Sequence, residues 1–324
     1  MQRYLDRLIF RIVKLWIIAT VFPAWRELCQ RHKAAHFLPP RVVVPQWGDE
    51  KFLWRKAIDH NPLFATVTDK IAAKEWAAQQ GFTIKPPQTL WTGTDANLIP
   101  DALWERPIYI KGAHGWRMNI PVLTPPADRA AIIAQANAFL QQEHGRRTRQ
   151  WAYKPLPRRL IVEEALFPDR DLIEVKYFTF GAVVEQFLVT RHGDDTTSTM
   201  WVRDPEGDYV MRDIATMHSS TRDRLPLPPA VKAGLKMAED IGAAFDHIRV
   251  DAMTDGETMY LGEITVYNLS GRFVQGMEAD APVNRSWDLR NSWFLTAKQP
   301  WYWRPYANAL RRALNRQDAR RNKR

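Results

Sequence analysis

The chain has 324 residues, of which 45% are hydrophobic and 25% are charged, an ordinary composition for a globular protein with a sizeable core. Its single cysteine, Cys29, excludes an internal disulfide framework and fits a reducing cytoplasm. The 46 basic and 36 acidic residues give a net charge of +10, which favours an anionic partner: a nucleotide, a nucleic acid, an acidic polysaccharide or a membrane surface.

The N-terminal segment, residues 8–25, is apolar but contains Arg11 and Lys14. A spanning helix needs about 20 largely uncharged residues, so this segment is a poor membrane span. No clean signal-peptide cleavage site follows its apolar part. Two alternatives stay open: an amphipathic helix on a membrane surface, anchored by Trp16 and Trp25, or a helix packed on the protein's own core.

Hydrophobic periodicity and turn residues predict helices and strands without a regular β-α-β succession. Helices are expected over residues 51–60, 68–80, 126–142 and 229–245. Strands are expected over residues 106–111, 118–123, 159–165, 173–180, 183–190, 247–253 and 258–265. This order predicts an α+β fold with mixed or antiparallel sheets.

The C-terminal tail is aromatic from Trp301 to Trp303 and then strongly basic. Aromatic and basic residues together could stack on bases or lie at a membrane interface. The tail is therefore the expected contact with an anionic partner. Its basic residues are Arg304, Arg311, Arg312, Arg316, Arg320, Arg321, Lys323 and Arg324.

Two acids and a base lie in the last two predicted strands: Arg249 and Asp251 in the first, Glu263 in the second. Mg²⁺ binds carboxylate and phosphate oxygens, so carboxylates from neighbouring strands could hold it. Because side chains alternate along a strand, a two-residue hairpin places Asp251 and Glu263 on opposite faces. A three-residue or bulged loop places them on one face, with Arg249 directly across from Glu263. The magnesium hypothesis therefore requires the odd-length loop, and the alternative is an exposed charged hairpin.

Two lysines upstream are candidates for binding phosphate. Lys70 opens the second predicted helix, and Lys111 ends a strand. The turn after that strand contains His114, Gly115 and Arg117. A lysine beside a glycine-bearing turn can neutralise phosphate oxygens while backbone N–H groups approach them. The turn is not a Walker loop, because no Gly-Lys-Ser/Thr follows.

A further apolar strand, residues 159–165, runs into Glu163 and Glu164. Such a segment can offer backbone groups to an adenine edge and a carboxylate to ribose hydroxyls. The alternative is an edge strand that ends in solvated charge.

The order and spacing of these segments carry a resemblance over about residues 51–273. The matching segments are Phe52-Leu53-Trp54-Arg55-Lys56, Asp59-His60-Asn61-Pro62-Leu63-Phe64, Thr68-Asp69-Lys70, Ile110-Lys111 with His114-Gly115, Ile161-Val162-Glu163-Glu164, Glu174-Val175-Lys176-Tyr177-Phe178, Arg249-x-Asp251 and Gly262-Glu263-Ile264-Thr265. Together they resemble the TupA-like ATP-grasp proteins of surface-polysaccharide biosynthesis.

The sequence departs from the family pattern at several positions. Lys74 stands where the family usually has arginine, and Trp116 and Arg117 follow His-Gly where serine and glycine are usual. Thr265 stands where many ATP-grasp enzymes carry an asparagine metal ligand, and Asn268 and Leu269 replace a Pro-Gly pair. These departures predict a phosphate loop that differs from the family pattern and an altered or weakened catalyst.

The resemblance implies an ATP-grasp fold in which two α+β lobes clasp ATP, with helical N- and C-terminal extensions. The implied division is an N-terminal amphipathic extension (1–48), an N-terminal subdomain (49–105), a small lobe with the phosphate loop (106–165), a large lobe with the metal site (166–285) and a basic aromatic C-terminal helix or tail (286–324).

The resemblance also implies roles for the candidate residues, with ATP and Mg²⁺ as cofactors. These are phosphate binding by Lys70, Lys111 and the turn residues His114, Gly115 and Arg117; contacts to adenine and ribose by Glu163 and Glu164; magnesium binding by Asp251 and Glu263; and catalysis by Arg249 and Lys176. His114 and His218 are candidate acid–base residues by residue type alone, and a structural role is favoured for each.

The implied reaction activates a carboxylate as an acyl phosphate, which an amine then attacks. The expected substrates are an acidic sugar or an amino acid, and the expected location is the cytoplasm, with peripheral binding to the inner face of the cell membrane through the two termini. Two alternatives are an ATP-grasp nucleotide-binding protein without ligase turnover and a basic membrane- or polyanion-binding protein. Nucleic acid is disfavoured as a partner.

Overall fold

A computed structural model describes residues 1–34, 38–168, 172–192, 196–212, 227–272 and 282–321. The chain divides into two compact units. The first unit comprises Met1–Pro62, Gly145–Trp151 and Tyr267–Arg324, and the second comprises Leu63–His144 and Ala152–Val266. The division into five segments stays a prediction.

The α-helices are α1 (Gln2–Thr20), α2 (Phe22–Ala34), α3 (Gly48–Ala57), α4 (Pro62–Thr68), α5 (Lys70–Gln80), α6 (Arg129–Phe139), α7 (Pro229–Gly242), α8 (Pro282–Arg285), α9 (Trp293–Thr296) and α10 (Arg304–Arg321). The strands are β1 (Thr89–Gly93), β2 (Ile108–Gly112), β3 (Asn119–Val122), β4 (Leu160–Glu164), β5 (Ile173–Phe180), β6 (Val183–Arg191), β7 (Thr197–Arg203), β8 (Tyr209–Arg212), β9 (Ile248–Thr254) and β10 (Met259–Thr265).

The predicted α+β class is confirmed, and every strand pair in the two sheets is antiparallel. The sequence patterns missed β1, β7 and β8. These strands lie at or next to sheet edges, and their side chains are mostly half-buried or exposed, so they lack a clean apolar alternation. Gly81 ends α5 in the left-handed conformation, as its sequence position predicts.

The four-stranded sheet of the second unit has the order β1-β4-β2-β3. On one face, Ile108, Ile110, Leu160 and Val162 are fully buried and form a core with Phe139 of α6. Because side chains alternate along a strand, the intervening residues point to the opposite face. That second face carries the charged residues of the candidate site.

The six-stranded sheet of the second unit has the order β10-β9-β5-β6-β7-β8, and α7 packs on β5, β6 and β9. The helix approaches closely at Gly234, where an added Cβ would lie 2.1 Å from the hydroxyl oxygen of Tyr177. That hydroxyl donates to the Val231 carbonyl at 2.9 Å and attaches the sheet to the helix. The strand order places β9, which carries Asp251, between β10, which carries Glu263, and β5, which carries Lys176.

The first unit is built around α3, all of whose residues are buried. The indole N–H of Trp54 donates to the Tyr306 hydroxyl at 2.7 Å, and that hydroxyl donates to the Val43 carbonyl at 2.9 Å. Phe10 of α1 packs edge-on against Tyr306 at 6.2 Å between ring centroids. One side of the N-terminal helix therefore packs on the protein's own core, which is one of the two alternatives that the sequence left open.

Length and hydropathy do not make any single helix of the described residues a candidate membrane span. Helices α1 and α2 pass the same test only as a pair, and they are bent by 102° at their junction.

A buried carboxylate joins the two ends of the chain within the first unit. Asp6 of α1 is 3% exposed, and it accepts hydrogen bonds from Nη2 and Nε of Arg312 at 2.6 and 3.3 Å. Nη2 of Arg316 lies 3.5 Å from Oδ2 of Asp6, the oxygen that also accepts from Nε of Arg312. The Arg312 hydrogen bond lowers the pKa of Asp6 from 3.8 to about 2. Two arginines of the basic tail are therefore engaged inside the molecule.

We expect the substitution Asp6→Asn to destabilise the protein by about 1.5 to 3 kcal/mol at neutral pH, the range for a hydrogen bond to a charged group. Since the folded pKa is depressed, this contribution is complete above about pH 4 and is lost as the pH falls through about 2. Urea unfolding between pH 7 and pH 3 measures the cost at neutral pH and the onset of the loss, so the difference between wild type and variant should be smaller at pH 3 than at pH 7.

The matched control for this prediction is Asp318→Asn on α10. Asp318 pairs with Arg290 where both side chains are about two-fifths exposed, so its loss should cost less than about 1 kcal/mol. Equal effects of the two substitutions would contradict the assignment of Asp6.

Candidate active site

Two lysines of the second unit pair with one buried carboxylate, and a third lysine lies within its electrostatic reach. Glu163 of β4 is 3% exposed and accepts from Lys111 of β2 at 2.6 Å. It also forms an ion pair with Lys74 of α5. Burial by itself would raise the pKa of Glu163, but Lys111 and Lys74 outweigh burial and lower the pKa. The carboxylate therefore stays ionised and holds two ammonium groups side by side.

The third lysine, Lys70, lies one helical turn before Lys74 on α5, so both point to the same side of the helix. Its ammonium group donates to the Gly115 carbonyl of the turn after β2. Burial lowers the pKa of Lys70, an effect that Lys111 reinforces and that Glu263 and Glu163 oppose. Lys70 is therefore within electrostatic reach of both groups of acids.

The start of α5 is fixed by Asp69, which is 2% exposed and caps the helix. Its carboxylate accepts from the backbone N–H groups of Ile71 and Ala72 at 2.9 and 3.0 Å. It also accepts a hydrogen bond of 3.2 Å from the guanidinium of Arg159, a residue that lies just before β4. The backbone N–H of Lys70 donates to the Ala113 carbonyl at 3.0 Å. These contacts place Lys70 against the turn that follows β2.

Aromatic packing organises that turn where the family pattern has Ser and Gly. Trp116 packs edge-on against His144 and Tyr153, with ring centroids 4.4 and 5.1 Å apart. A Cβ added to Gly115 would lie 2.2 Å from the His144 ring, so only glycine fits under it. Burial lowers the pKa of His144 to about 4, which makes the ring neutral at neutral pH. A neutral aromatic cluster therefore supports the backbone of the turn.

The two predicted metal ligands lie directly opposite each other. Asp251 of β9 pairs with Glu263 of β10, and the register shifts by one residue between Leu261 and Glu263. The shift is a β-bulge at Gly262, where an added Cβ would lie 3.0 Å from the Asp251 carbonyl oxygen. The bulge brings both carboxylates to one face of the sheet.

This geometry corrects two details of the prediction. Thr254 pairs with Met259 across four intervening residues, so the loop has an even length and the bulge alone restores the shared face. Arg249 lies across from Thr265 and not across from Glu263. The bulge at Gly262 comes before Glu263 and Thr265 in β10, so it shifts the pairing of both residues. The condition for the magnesium hypothesis is met by a different device from an odd-length loop.

Arg249 binds Asp251 with two hydrogen bonds of 2.6 and 2.5 Å. Its Nη2 also donates to the Thr265 hydroxyl at 3.2 Å, and that hydroxyl donates to Glu263 at 3.3 Å. Burial raises the pKa of Asp251, while Arg249 and Lys176 oppose that shift. The two carboxylates are thus already part of one hydrogen-bond network that a bound cation would share.

Lys176 completes a row of charges across three strands. It lies on β5 directly opposite Asp251, so Lys176, Asp251 and Glu263 follow one another on the same face. Its ammonium group forms an ion pair with Glu174. Lys176 is therefore beside the acid pair.

Several of the predicted residues lie away from these groups or on the other face. Glu164 follows Glu163 on the strand, so it points to the opposite face, and it accepts from the Gln88 N–H at 2.7 Å. Arg117 is exposed in the left-handed conformation at φ 58°. His114 is 4% exposed, and burial lowers its pKa. His218 lies outside the described residues.

Other residues of the site were not predicted. Arg159, His144 and Tyr153 lie in no sequence motif that marks them, and Lys74 is marked only by its helical spacing from Lys70 and by standing where the family usually has arginine. Burial raises the pKa of Tyr153, and Glu263 adds to that shift, so this side chain lies near the acid pair as well as the turn.

The donor set is compatible with Mg²⁺, which takes hard oxygen ligands and commonly uses one or two carboxylates together with substrate phosphates. Asp251 and Glu263 supply two such carboxylates. Within the described ranges, no group of three or more His, Cys, Asp or Glu side chains is placed to hold a metal ion. The acid pair would therefore need phosphate oxygens to complete a coordination shell.

These two antiparallel sheets, with their helices, define an ATP-grasp fold. Residues 50–281 match the family model described as TupA-like ATPgrasp. Because that match covers more than half of the chain, the chain belongs to the TupA-like ATP-grasp family. No curated protein sequence matches the chain.

Solved structures with a similar fold are ligases of low sequence identity. The ATP complex of D-alanine–D-alanine ligase from Bacillus anthracis is 16% identical over 62% of this chain and 55% of that chain, with a TM-score of 0.35. Another structure of a D-alanine–D-alanine ligase from Bacillus anthracis is 17% identical over 78% and 70%, with a TM-score of 0.39. An L-amino acid ligase from Bacillus licheniformis is 12% identical over 75% and 46%, with a TM-score of 0.36. The chain thus spans little more than half the length of the first of them.

We expect Glu163→Gln to destabilise the second unit by about 3 to 5 kcal/mol, because it leaves the ammonium groups of Lys74 and Lys111 without their shared carboxylate. The bound triphosphate of ATP should restore part of that loss, since it supplies negative charge to the same lysines. Urea unfolding with and without Mg-ATP measures both effects.

The adjacent substitution Glu164→Gln is the matched control. It neutralises a carboxylate that accepts one backbone hydrogen bond on the opposite face of the sheet. We therefore expect it to destabilise the protein by about 1 kcal/mol, and ATP should restore less stability than in Glu163→Gln. If the two variants behave alike, the lysine cluster is not organised by Glu163.

Proposed function

We propose that this protein is an ATP-dependent ligase that joins a carboxylate to an amine through an acyl phosphate, in the synthesis or modification of a surface polysaccharide. Family membership supports the ATP-grasp chemistry. The observation that carries the proposal is the presence, in one compact unit, of three clustered lysines and an opposed pair of carboxylates, with Lys70 in the electrostatic field of both.

The lysine cluster is suited to the polyphosphate of ATP. Lys70, Lys74 and Lys111 bring three positive charges together, whereas Glu163 supplies one negative charge to the same cluster. The remaining positive charge favours an anion, and partial burial strengthens that attraction because the local dielectric is low. Backbone groups of the turn at Gly115 would approach the same phosphates.

The acid pair is suited to holding the metal ion that accompanies ATP. Asp251 and Glu263 would hold Mg²⁺ against the phosphate oxygens, and the ion would neutralise charge on the transferring phosphoryl group. Arg249 occupies Asp251 with a bidentate contact, so it would have to share this carboxylate when the metal binds. The guanidinium would then remain beside the phosphates, where it can stabilise developing negative charge.

Catalysis would rest on position and electrostatics. A carboxylate oxygen is a poor leaving group, and conversion to an acyl phosphate provides a good one before the amine attacks. Lys176 lies beside Asp251 and is the cation nearest to this acid on β5, so it is a candidate to orient the acceptor carboxylate or the γ-phosphate. An acidic sugar and an amino acid are the proposed substrate classes.

The second candidate is an ATP-grasp nucleotide-binding protein without ligase turnover. The observation in its favour is that Arg249 pairs with Asp251 and neutralises its charge. Within the described network, Glu263 is then the acid of the pair that has no direct arginine contact and is left to bind a metal ion. Under this alternative Mg-ATP binds, but no acceptor stimulates its cleavage.

The test is Mg²⁺-dependent release of ADP and phosphate with a panel of uronic acids and amino acids. We expect substrate-dependent release from the wild type and a decrease of at least about 100-fold for Asp251→Asn and for Glu263→Gln, the size of effect typical of a group that stabilises transition-state charge. Turnover that survives both substitutions would overturn the site assignment.

A control in the same hairpin is Glu257→Gln, which removes an exposed acid between β9 and β10 and should leave turnover unchanged. ATP titration combined with the ADP-release assay separates the two candidates, because both bind Mg-ATP and only the ligase releases ADP in response to an acceptor. A nucleotide affinity that depends on Lys111 but brings no ADP release for any acceptor would favour the non-ligase alternative.

A further inference from the structure

The surface of α1 divides into three sectors. Successive residues of an α-helix are separated by about 100° around its axis. The first sector contains Asp6, Phe10, Val13 and Ile17, which are buried or half-buried and face the core of the first unit. The other two sectors are exposed, and they differ sharply in chemistry.

The second sector is an exposed apolar stripe. Tyr4, Leu8, Ile12 and Leu15 recur at helical spacing and are 76%, 46%, 61% and 70% exposed. With the adjacent Leu5 and Trp16 they cover an arc of about 120°. Large exposed apolar surfaces on soluble domains usually mark a contact with another molecule.

Aromatic residues continue the stripe onto the loop before α10. Trp16 packs edge-on against Trp303 with ring centroids 4.9 Å apart. Trp303 in turn contacts Tyr302, which contacts Trp301, and these last two side chains are 58% and 77% exposed. Tryptophan and tyrosine are the residues that favour the headgroup region of a bilayer.

The third sector is basic. Arg3, Arg7, Arg11 and Lys14 are exposed and lie together on the flank of the apolar stripe. The one acidic residue of α1, Asp6, is buried and paired with Arg312, so it does not offset them at the surface. An apolar stripe beside a basic flank is complementary to a surface that has an anionic outer layer and an apolar layer beneath it.

We propose that this face of the first unit, formed by the exposed stripe and basic flank of α1 together with Trp301 and Tyr302, docks on an anionic lipid bilayer. The helix lies along the interface with its apolar stripe among the acyl chains and its basic flank among the headgroups. It does not span the bilayer, because its opposite side is packed on α10 and its flank carries four charges. The proposal is independent of the ligase chemistry.

The test is co-sedimentation of the full-length protein with vesicles of phosphatidylcholine alone or with about one third phosphatidylglycerol. We expect binding at least about 10-fold tighter to the anionic vesicles, weakened by salt. The double substitution Ile12→Glu and Leu15→Glu should reduce binding at least about 20-fold, since it places charges in the apolar stripe. Arg7→Glu with Arg11→Glu should remove the preference for anionic vesicles.

Each variant has a matched control in the second unit. Leu98→Glu changes a leucine of nearly equal exposure, 68%, and Lys232→Glu with Lys236→Glu reverses two exposed cations on α7. Neither control should alter vesicle binding. Asp251→Asn should also bind vesicles like the wild type, so failure of the ligase proposal would be distinguishable from failure of this one.

Two results would overturn the proposal. One is binding that the α1 substitutions and the matched controls reduce equally, with folding checked by circular dichroism and urea unfolding. The other is a wild type that does not bind vesicles and instead forms a concentration-dependent dimer, measured by analytical ultracentrifugation. The double substitution Ile12→Glu with Leu15→Glu would dissociate that dimer. In that case a second copy of the chain covers the stripe.

Discussion

The candidate metal site depends on one extra residue in β10. Without the β-bulge at Gly262, the pleat would direct Asp251 and Glu263 to opposite faces of the sheet, and no single ion could contact both. Glycine suits this position because the Asp251 carbonyl lies 3.0 Å from where a Cβ would be. The same register shift places Thr265 opposite Arg249, so the arginine, the threonine and both acids share one hydrogen-bond network.

The lysine cluster is built on the same principle of positioning charge by backbone geometry. Asp69 caps α5 and thereby fixes the positions of Lys70 and Lys74. The pleat of β2 and β4 directs Lys111 and Glu163 to the same face of the sheet. Three ammonium groups near one another repel, and the buried carboxylate of Glu163 offsets that repulsion. A cluster that keeps an excess of positive charge is thereby held ready for an anion. The neutral ring of His144 under Gly115 supports the turn without adding charge.

The first unit uses its charges differently. Its buried acid, Asp6, joins α1 to α10, and this engages tail arginines that the composition alone assigns to an outside partner. The remaining exposed cations of α1 lie beside an apolar stripe, which explains how a helix too charged to span a membrane can still present a large apolar surface. The two open alternatives for this helix are therefore compatible: one side packs on the core, and the other is free for the proposed bilayer.

The sequence by itself determined the α+β class, the main helices and strands, and the identities of Lys70, Lys111, Glu163, Asp251 and Glu263 as candidate residues. Periodicity and capping residues are local properties, and motif order can be followed along the chain without knowledge of its folding. Only the tertiary structure decided which of them meet. The bulge at Gly262, the pairing of Glu163 with Lys74, the separation of Glu164 onto the other face and the aromatic support from His144 all depend on strand register and on contacts between distant segments. Register is set by the packing of whole sheets, so no short segment of the chain contains it.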